Sequence, residues 1–199
     1  FQPASVANVA RAAGVSVGVI YKYFGDKQSL FLACVRHSLE LLDATLREAV
    51  PEGADAETSI RALVPALIAA ARQHGNYNVL YNEITSGSCR EFAPELAREI
   101  ESRTAQLYTR LFETAKEAGA LAPGLAPEAA AFFFDNLLMM LQFSYSCDYY
   151  QHRMRLYCGE NAAWNDEMMA DQLTRFLLGA MRGEGSCNIS LPTTSEPPA

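Results

Sequence analysis

Residues 5–24 of the chain read SVANVARAAGVSVGVIYKYF, and this stretch decides the class of fold. Two short helical segments flank the turn Gly14-Val15-Ser16. Ser5 can cap the first helix, Gly14 can end it in the left-handed conformation, and Ser16 can cap the second helix. This spacing predicts a helix-turn-helix. A turn of this kind also joins helices in many bundles, so a purely structural helix pair stays open at this point.

The second helix of the pair has two distinct faces. Ile20 and Phe24 are four residues apart and predict the buried stripe, and Val15 is expected to enter the core at the turn. The opposite face is expected to be exposed, because its side chains are small, charged or hydroxyl-bearing. Its members are Gly18, Val19, Tyr21, Lys22 and Tyr23. Such a face can approach phosphates and base edges closely.

Composition narrows the class of protein. The chain has 199 residues, of which 50% are hydrophobic and 20% charged, which suits one large or two small folded domains and excludes a disordered chain. No uncharged apolar stretch reaches the ~18 residues of a membrane helix. No targeting segment is visible either, so a cytoplasmic protein that does not bind membranes is expected.

Charge is distributed unevenly along the chain. Residues 1–37 hold four basic residues and one acidic residue, a net charge of +3, and the remaining 12 basic and 22 acidic residues leave −10. We call this basic N-terminal part of the chain the head and the acidic remainder the body. A basic head lets one face approach nucleic acid while the acidic body points away. A chance distribution of a few charges would look the same, so this observation only supports the motif.

Cysteine and histidine usage argues against a metal site, a disulfide framework and catalysis. The five cysteines and three histidines are widely spaced and form no metal-ligand pattern. No nucleophile–base pair or phosphate loop is visible, so neither catalytic residues nor cofactors are predicted. Cys34 is expected to be buried on an apolar helical stripe.

Residues that favour helices dominate the chain, and serine, aspartate, glycine and proline residues mark where helices begin and end. This pattern predicts an all-α chain. Pro65 is expected to kink or restart its helix. The predicted helices cover about residues 6–13, 17–24, 27–50, 57–74, 77–86, 94–118, 127–157 and 166–182.

The head resembles the DNA-binding head of TetR-family transcriptional regulators. The shared pattern is A-x-x-A-G-V-S, then x-G-x-[IL]-Y-x-[HY]-F, then x-x-K-x-x-L, and it covers residues 1 to about 45. The resemblance implies a helix-turn-helix DNA-binding domain at 1–45, whose first helix is expected to be missing from this chain. It also implies a helical effector-binding and dimerisation domain at 46–182, followed by a flexible tail at 183–199.

The resemblance also implies roles for individual residues. Tyr21 and Lys27 match phosphate contacts, and Ser5 matches a helix cap that meets the DNA backbone. Val17 and Val19 stand where polar residues are common, which suggests contact with thymine methyl groups. The full implied DNA-binding set is Ser5, Ser16, Val17, Gly18, Val19, Tyr21, Lys22, Tyr23 and Lys27.

The body is expected to hold a dimer interface and an effector site. The helices predicted over residues 127–157 and 166–182 are so apolar that most of their surface must be buried. The resemblance implies that they pair with a second copy of the chain. A stripe on the last helix is predicted from Met169, Leu173, Phe176, Leu177 and Ala180. A core formed within one chain is the alternative.

Effector contacts are predicted among aromatic residues and isolated polar residues. The candidates are Tyr77, Tyr81, Gln106, Tyr108, Phe112, Asn136, Met140 and Phe143. They favour a small hydrophobic or aromatic effector. Asp135 and Gln142 are instead assigned to the dimer seam. The resulting hypothesis is a ligand-responsive repressor released from a palindromic operator, and the alternative is an architectural DNA-binding or interaction protein without a small-molecule effector.

Overall fold

The computed structural model describes residues 5–84, 93–161 and 165–183, and within them it is all-helical. The predicted fold class is therefore confirmed. The helices are α1 (Val6–Ala12), α2 (Val17–Phe24), α3 (Lys27–Ala49), α4 (Ala56–Gln73), α5 (Gly75–Glu83), α6 (Ala93–Glu117), α7 (Pro127–Ser146), α8 (Asp148–Cys158) and α9 (Asp166–Arg182).

Local capping bonds set the starts of the head helices. The Ser5 hydroxyl accepts from the Asn8 N–H at 3.1 Å, and the Ser16 hydroxyl accepts from the Val19 N–H at 3.3 Å. Gly14 has a φ of +67°, the left-handed conformation that lets the chain turn sharply after α1. The turn therefore forms as its sequence predicts.

The head has a small core of its own. It is formed by Val6, Ala10 and Ile20, with Phe24 and Leu30 packed against them. This confirms the predicted stripe of α2. The expectation for Val15 was wrong, since its side chain is 39% exposed while its N–H donates to the Ala10 carbonyl at 3.0 Å. Leu30, from the first turns of α3, packs against this core.

Helix α4 is the centre of the body and packs against α3, α6, α7 and α9. Its residues Ile60, Leu63 and Val64 are completely buried. Helix α4 continues through Pro65, so the chain does not restart there. Pro65 lies on the exposed face, where water can satisfy the Arg61 carbonyl that loses its helical donor.

Helix α3 joins the head to the body. Beyond the head core, Val35 and Leu39 are buried in a second cluster with Ile84 and Ile100. Cys34 is exposed, contrary to expectation, because the buried stripe of α3 runs through its neighbour Val35 instead. The predicted domain boundary after residue 45 thus falls within one continuous helix and stays a prediction.

The helix predicted across 127–157 is in fact two helices. Cys147 adopts an extended conformation with φ −115° and ψ 127°, which separates α7 from α8. Hydrogen bonds to two other helices fix the end of α7 at this point. The Ser146 hydroxyl accepts from the Asn78 amide at 2.9 Å and donates to the Ala71 carbonyl at 3.3 Å. No proline or glycine signals this break in the sequence.

No helix among the described residues is both long and apolar enough to span a membrane. The predicted tail at 183–199 lies outside the described residues, apart from Gly183.

Candidate nucleic-acid interface and ligand cavity

The exposed face of α2 carries the side chains expected to meet DNA. All nine predicted residues are exposed: Ser5, Ser16, Val17, Gly18, Val19, Tyr21, Lys22, Tyr23 and Lys27. Tyr21 is 46% exposed and Tyr23 is 76% exposed, so both hydroxyl groups are accessible to a ligand. The helix pair therefore presents a continuous surface to solvent.

The positive charges of the head are available for phosphates. In the part of the chain that the structure describes, Arg11, Lys22 and Lys27 make no ion pair, whereas Arg36 pairs with Glu99 at 2.7 Å. The nearby acid Asp26 caps α3. Hydrogen bonds from Ser29, chiefly from its N–H, hold the pKa of Asp26 below its usual value. Lys27 follows this cap at the N-terminus of α3, where the helix dipole also favours an anion.

Three valines give the same surface an apolar element. Val15, Val17 and Val19 are between 37% and 39% exposed. Gly18 lies among them, and a Cβ built on it would meet only the Ser16 hydroxyl, at 3.7 Å. Apolar side chains in a major groove contact thymine methyl groups, and a glycine permits close backbone approach.

The body contains a cavity bounded by α3, α5, α6 and α7. The cavity and its solvent-filled opening together comprise about 880 Å³. Helix α3 contributes a long wall from Val35 to Thr45, so the helix that begins at Lys27 also touches the cavity. Hydroxyl, amide and imidazole groups face this space from Ser38, Thr45, His74, Asn78, Thr104 and Gln142.

Three of the eight predicted effector residues line the cavity: Tyr77, Tyr81 and Tyr108. Phe112 and Phe143 are core residues one layer behind it. The Phe143 ring lies 5.7 Å from the Tyr81 ring, and the Phe112 and Tyr108 rings both pack edge-on against Phe134.

The structure does not bring the other three predicted residues to the cavity. Gln106 is exposed on α6, because it falls on the face opposite the buried Tyr108 and Thr104 side chains. Asn136 donates to the Phe132 carbonyl of its own helix at 2.7 Å, and Met140 lies outside the lining. Their assignment to the effector is corrected accordingly.

Two carboxylates line the cavity, and sequence reasoning did not assign either to it. Glu101 comes from α6 and Asp135 from α7, and Gln142 lines the cavity two turns further along the same face of α7. The assignment of Asp135 and Gln142 to a dimer seam was therefore wrong. Their spacing of seven residues correctly placed them on one face, but only the packing of α7 shows that this face turns inward.

The electrostatic environment of the two carboxylates differs. The Tyr81 hydroxyl donates to Glu101, and burial followed by this bond raises the pKa of Tyr81. Burial, with repulsion from Glu101 added, raises the pKa of Asp135 to about 6. No Lys or Arg occurs among the described lining residues, so the cavity has a negative character.

A separate apolar surface lies on α7 and α9. Phe132 and Phe133 are 65% and 59% exposed on α7, and Phe176 is 63% exposed on α9. The predicted α9 stripe is divided between two environments, since Leu177 is buried in the core and Leu173 packs against it. Both helices pack on α4, which leaves their aromatic side chains facing solvent.

The fold and the exposed helix pair define a helix-turn-helix protein with a helical body. The family model for bacterial regulatory proteins of the tetR family matches residues 1–34. The chain is 33% identical over 135 residues to the HTH-type transcriptional regulator BetI of Paraburkholderia phymatum, which covers 67% of this chain and 68% of that protein. The chain belongs to the TetR family of bacterial regulatory proteins, which are transcriptional regulators and not enzymes.

Other comparisons agree on the fold. The BetI of Paraburkholderia xenovorans is 34% identical over 108 residues, and the match spans only about half of each protein, 54%. A putative TetR-family regulator from Rhodococcus superposes with a TM-score of 0.70 at 18% identity, covering 88% of both chains. The ketosteroid transcriptional regulator KstR2 of Mycobacterium tuberculosis gives 0.64 at 18% identity, covering 89% of this chain and 84% of its own.

Proposed function

We propose that the chain is a DNA-binding repressor that leaves a palindromic operator when a small effector enters the body cavity. The observation that carries the DNA-binding part is the exposed face of α2, together with Lys22 and Lys27, which make no ion pair with any described residue. Recognition helices of this kind read base edges in the major groove while neighbouring cations contact phosphates. Access to DNA implies a cytoplasmic protein.

A palindromic operator requires two heads, and the apolar surface on α7 and α9 supports a homodimer. Phe132, Phe133 and Phe176 expose large aromatic areas, which soluble monomers rarely present together. Pairing of α7 and α9 with a second copy would bury these side chains in a four-helix interface. The proposed interface falls within residues 127–157 and 166–182, the same segments that the sequence analysis proposes.

Helix α3 provides the connection between effector and DNA. It starts at Lys27 beside the recognition helix and lines the cavity with Ser38, Leu42 and Thr45. At 1.5 Å per residue, its 23 residues extend about 34 Å. A ligand that changes the packing of its cavity wall therefore tilts a rod whose other end carries a phosphate contact, and this alters the spacing of the two heads.

An architectural DNA-binding protein with no effector is the second candidate. It would have the same head and the same dimer surface. The cavity favours the ligand-responsive function, since it holds polar and charged groups that converge on space next to α3.

Operator selection tests the proposal. The full chain is incubated with a randomised DNA library, bound sequences are recovered and sequenced, and the enriched site is used in electrophoretic shift assays. We expect a palindrome whose half-sites lie about one helical turn apart. Enrichment of no sequence, or of a single unrepeated half-site, contradicts it.

A further inference from the structure

Among the described residues, no positive charge compensates the two carboxylates that line the cavity. Glu101 accepts a hydrogen bond from the Tyr81 hydroxyl, but Asp135 has neither a hydrogen bond nor an ion pair within the described residues. The described lining contains no Lys or Arg that would neutralise either group. Two carboxylates therefore face one partly buried space, and among the described lining residues only the Tyr81 hydroxyl donates a hydrogen bond to either of them.

This arrangement is unfavourable in the ligand-free protein. A carboxylate removed from water needs a cation or several donors, and two neighbouring carboxylates repel each other. The pKa of Asp135 rises to about 6 because of its burial and then because of Glu101. A positive charge placed between the two groups would relieve the burial cost and the repulsion together.

A third polar group points to the same ligand. Tyr108 lines the cavity and is only 2% exposed, yet its hydroxyl makes no hydrogen bond to any described residue. It shares the cavity lining with Asp135 and Glu101. Burial raises the pKa of Tyr108, and the negative charges of Asp135 and Glu101 raise it further. Its oxygen can accept a hydrogen bond from an ammonium group.

The rest of the lining excludes a simple metal ion and favours an organic molecule. No group of three or more metal-ligating side chains occurs in the part of the chain that the structure describes. Leu39, Leu42 and Met139 supply apolar walls, and Tyr77 adds an aromatic ring.

We propose that the cavity binds an organic cation, an ammonium group on an apolar or aromatic body, with Asp135 as its direct charge partner and Glu101 and Tyr108 completing the polar end. The inference rests on the proposed function in taking this cavity as the effector site. It adds a positive charge to the hydrophobic effector that the sequence favoured.

Two series of small ligands, matched in size, test whether the cavity prefers a positively charged molecule. ω-Phenylalkylammonium ions with one to six methylene groups are titrated calorimetrically into the full chain at pH 7.5, and the corresponding phenylalkanols serve as uncharged partners of equal size. We expect at least one ammonium ion to bind tenfold or more tightly than its alcohol. Failure of every ammonium ion to bind, or equal affinity for the alcohols, overturns the proposal.

Two variants locate the charge partner. Asp135→Asn keeps the shape of the side chain and removes its charge, and it should reduce the ammonium preference to threefold or less while leaving alcohol affinity unchanged. Glu113→Gln removes one charge from the exposed surface of α6 and should keep the full preference. An Asp135→Asn protein that keeps the tenfold preference excludes Asp135 as the partner.

Proton release gives a second readout. At pH 6 the cation should displace the proton that Asp135 partly retains, so the measured enthalpy should depend on the ionisation enthalpy of the buffer. The other titratable groups that line the cavity are His74, Tyr77, Tyr81, Glu101 and Tyr108. Protonated His74 would also oppose a cation, so His74→Gln should retain proton release and Asp135→Asn should lose it. The reverse pattern contradicts the assignment.

These titrations contain no DNA, so their outcome is independent of operator binding. An ammonium ion that binds tightly but leaves the operator complex intact supports the ligand class and contradicts the switching mechanism. Absence of binding overturns the ligand class and leaves DNA recognition by α2 untouched.

Discussion

Asp135 places a destabilising charge in the body of the ligand-free protein. Its pKa is raised from 3.8 to about 6 on folding, so between these values the folded state binds more protons than the unfolded state. Stability therefore decreases as the pH rises from about 4 to about 6, and the full cost is present above pH 6. The sign is opposite to that of a salt-bridged aspartate.

Asp135→Asn should consequently stabilise the ligand-free protein at pH 7.5. We expect a gain of roughly 1–3 kcal/mol in the free energy of unfolding, allowing for partial solvent screening, and little gain at pH 3.5. Urea unfolding of both proteins at the two pH values measures this. An equal effect at both pH values would show that the change acts through packing and not through charge.

Gly18 offers a test of close approach to DNA. Gly18→Ala should stabilise α2 by up to about 0.5–1 kcal/mol, because there is space for the added methyl group and alanine is the better helix former. The added methyl group should nevertheless weaken operator binding tenfold or more if the backbone lies against the groove. Shift assays and thermal unfolding on the same sample separate the two effects. Undiminished operator affinity would place Gly18 away from the DNA.

Among the helices, we propose that α2 and the start of α3 form one phosphate-binding edge. Tyr21→Phe and Lys27→Ala should weaken binding to all DNA sequences alike, since phosphate contacts carry no sequence information. Lys27→Ala should also reduce the slope of log affinity against log salt by about one. Lys116→Ala, on the exposed end of α6, is the matched control and should change neither quantity. Full affinity in the double variant would exclude this edge from the interface.

At the scale of the whole molecule, the aromatic surface on α7 and α9 should hold two copies together. Phe176→Glu places a charge where an apolar contact is expected, and it should yield monomers or insoluble chain. Leu107→Glu alters a partly exposed leucine on α6 and should leave the dimer intact. Light scattering at micromolar concentration distinguishes the states, and a monomeric unmodified chain would contradict the interface.

The proposed switching involves the whole molecule, because α3 extends from the head to the cavity in the body. An effector can shift the equilibrium only by its differential affinity for the DNA-bound and released arrangements, typically ~1–3 kcal/mol. Operator DNA must then weaken effector binding by the same factor. Titration of a bound ammonium ion with and without the selected operator measures this factor. Equal affinities would remove the allosteric mechanism and leave DNA binding in place.

The sequence alone determined the head, because its signals are local. Each cap joins residues three positions apart, and the turn depends on the left-handed conformation of Gly14. Spacing and residue type are enough to predict those interactions. The helix-turn-helix, the exposed face of α2 and the family could therefore be predicted. The all-helical body followed from composition for the same reason.

Tertiary packing alone decided the cavity and the end of α7. Asp135 and Glu101 are 34 positions apart in the chain and meet only because α6 and α7 pack side by side. The break at Cys147 depends on contacts of Ser146 with α4 and α5 rather than on a helix-breaking residue. Helical periodicity shows which residues share a face, but the direction of that face is set by non-local contacts, and these decide which side chains meet a ligand.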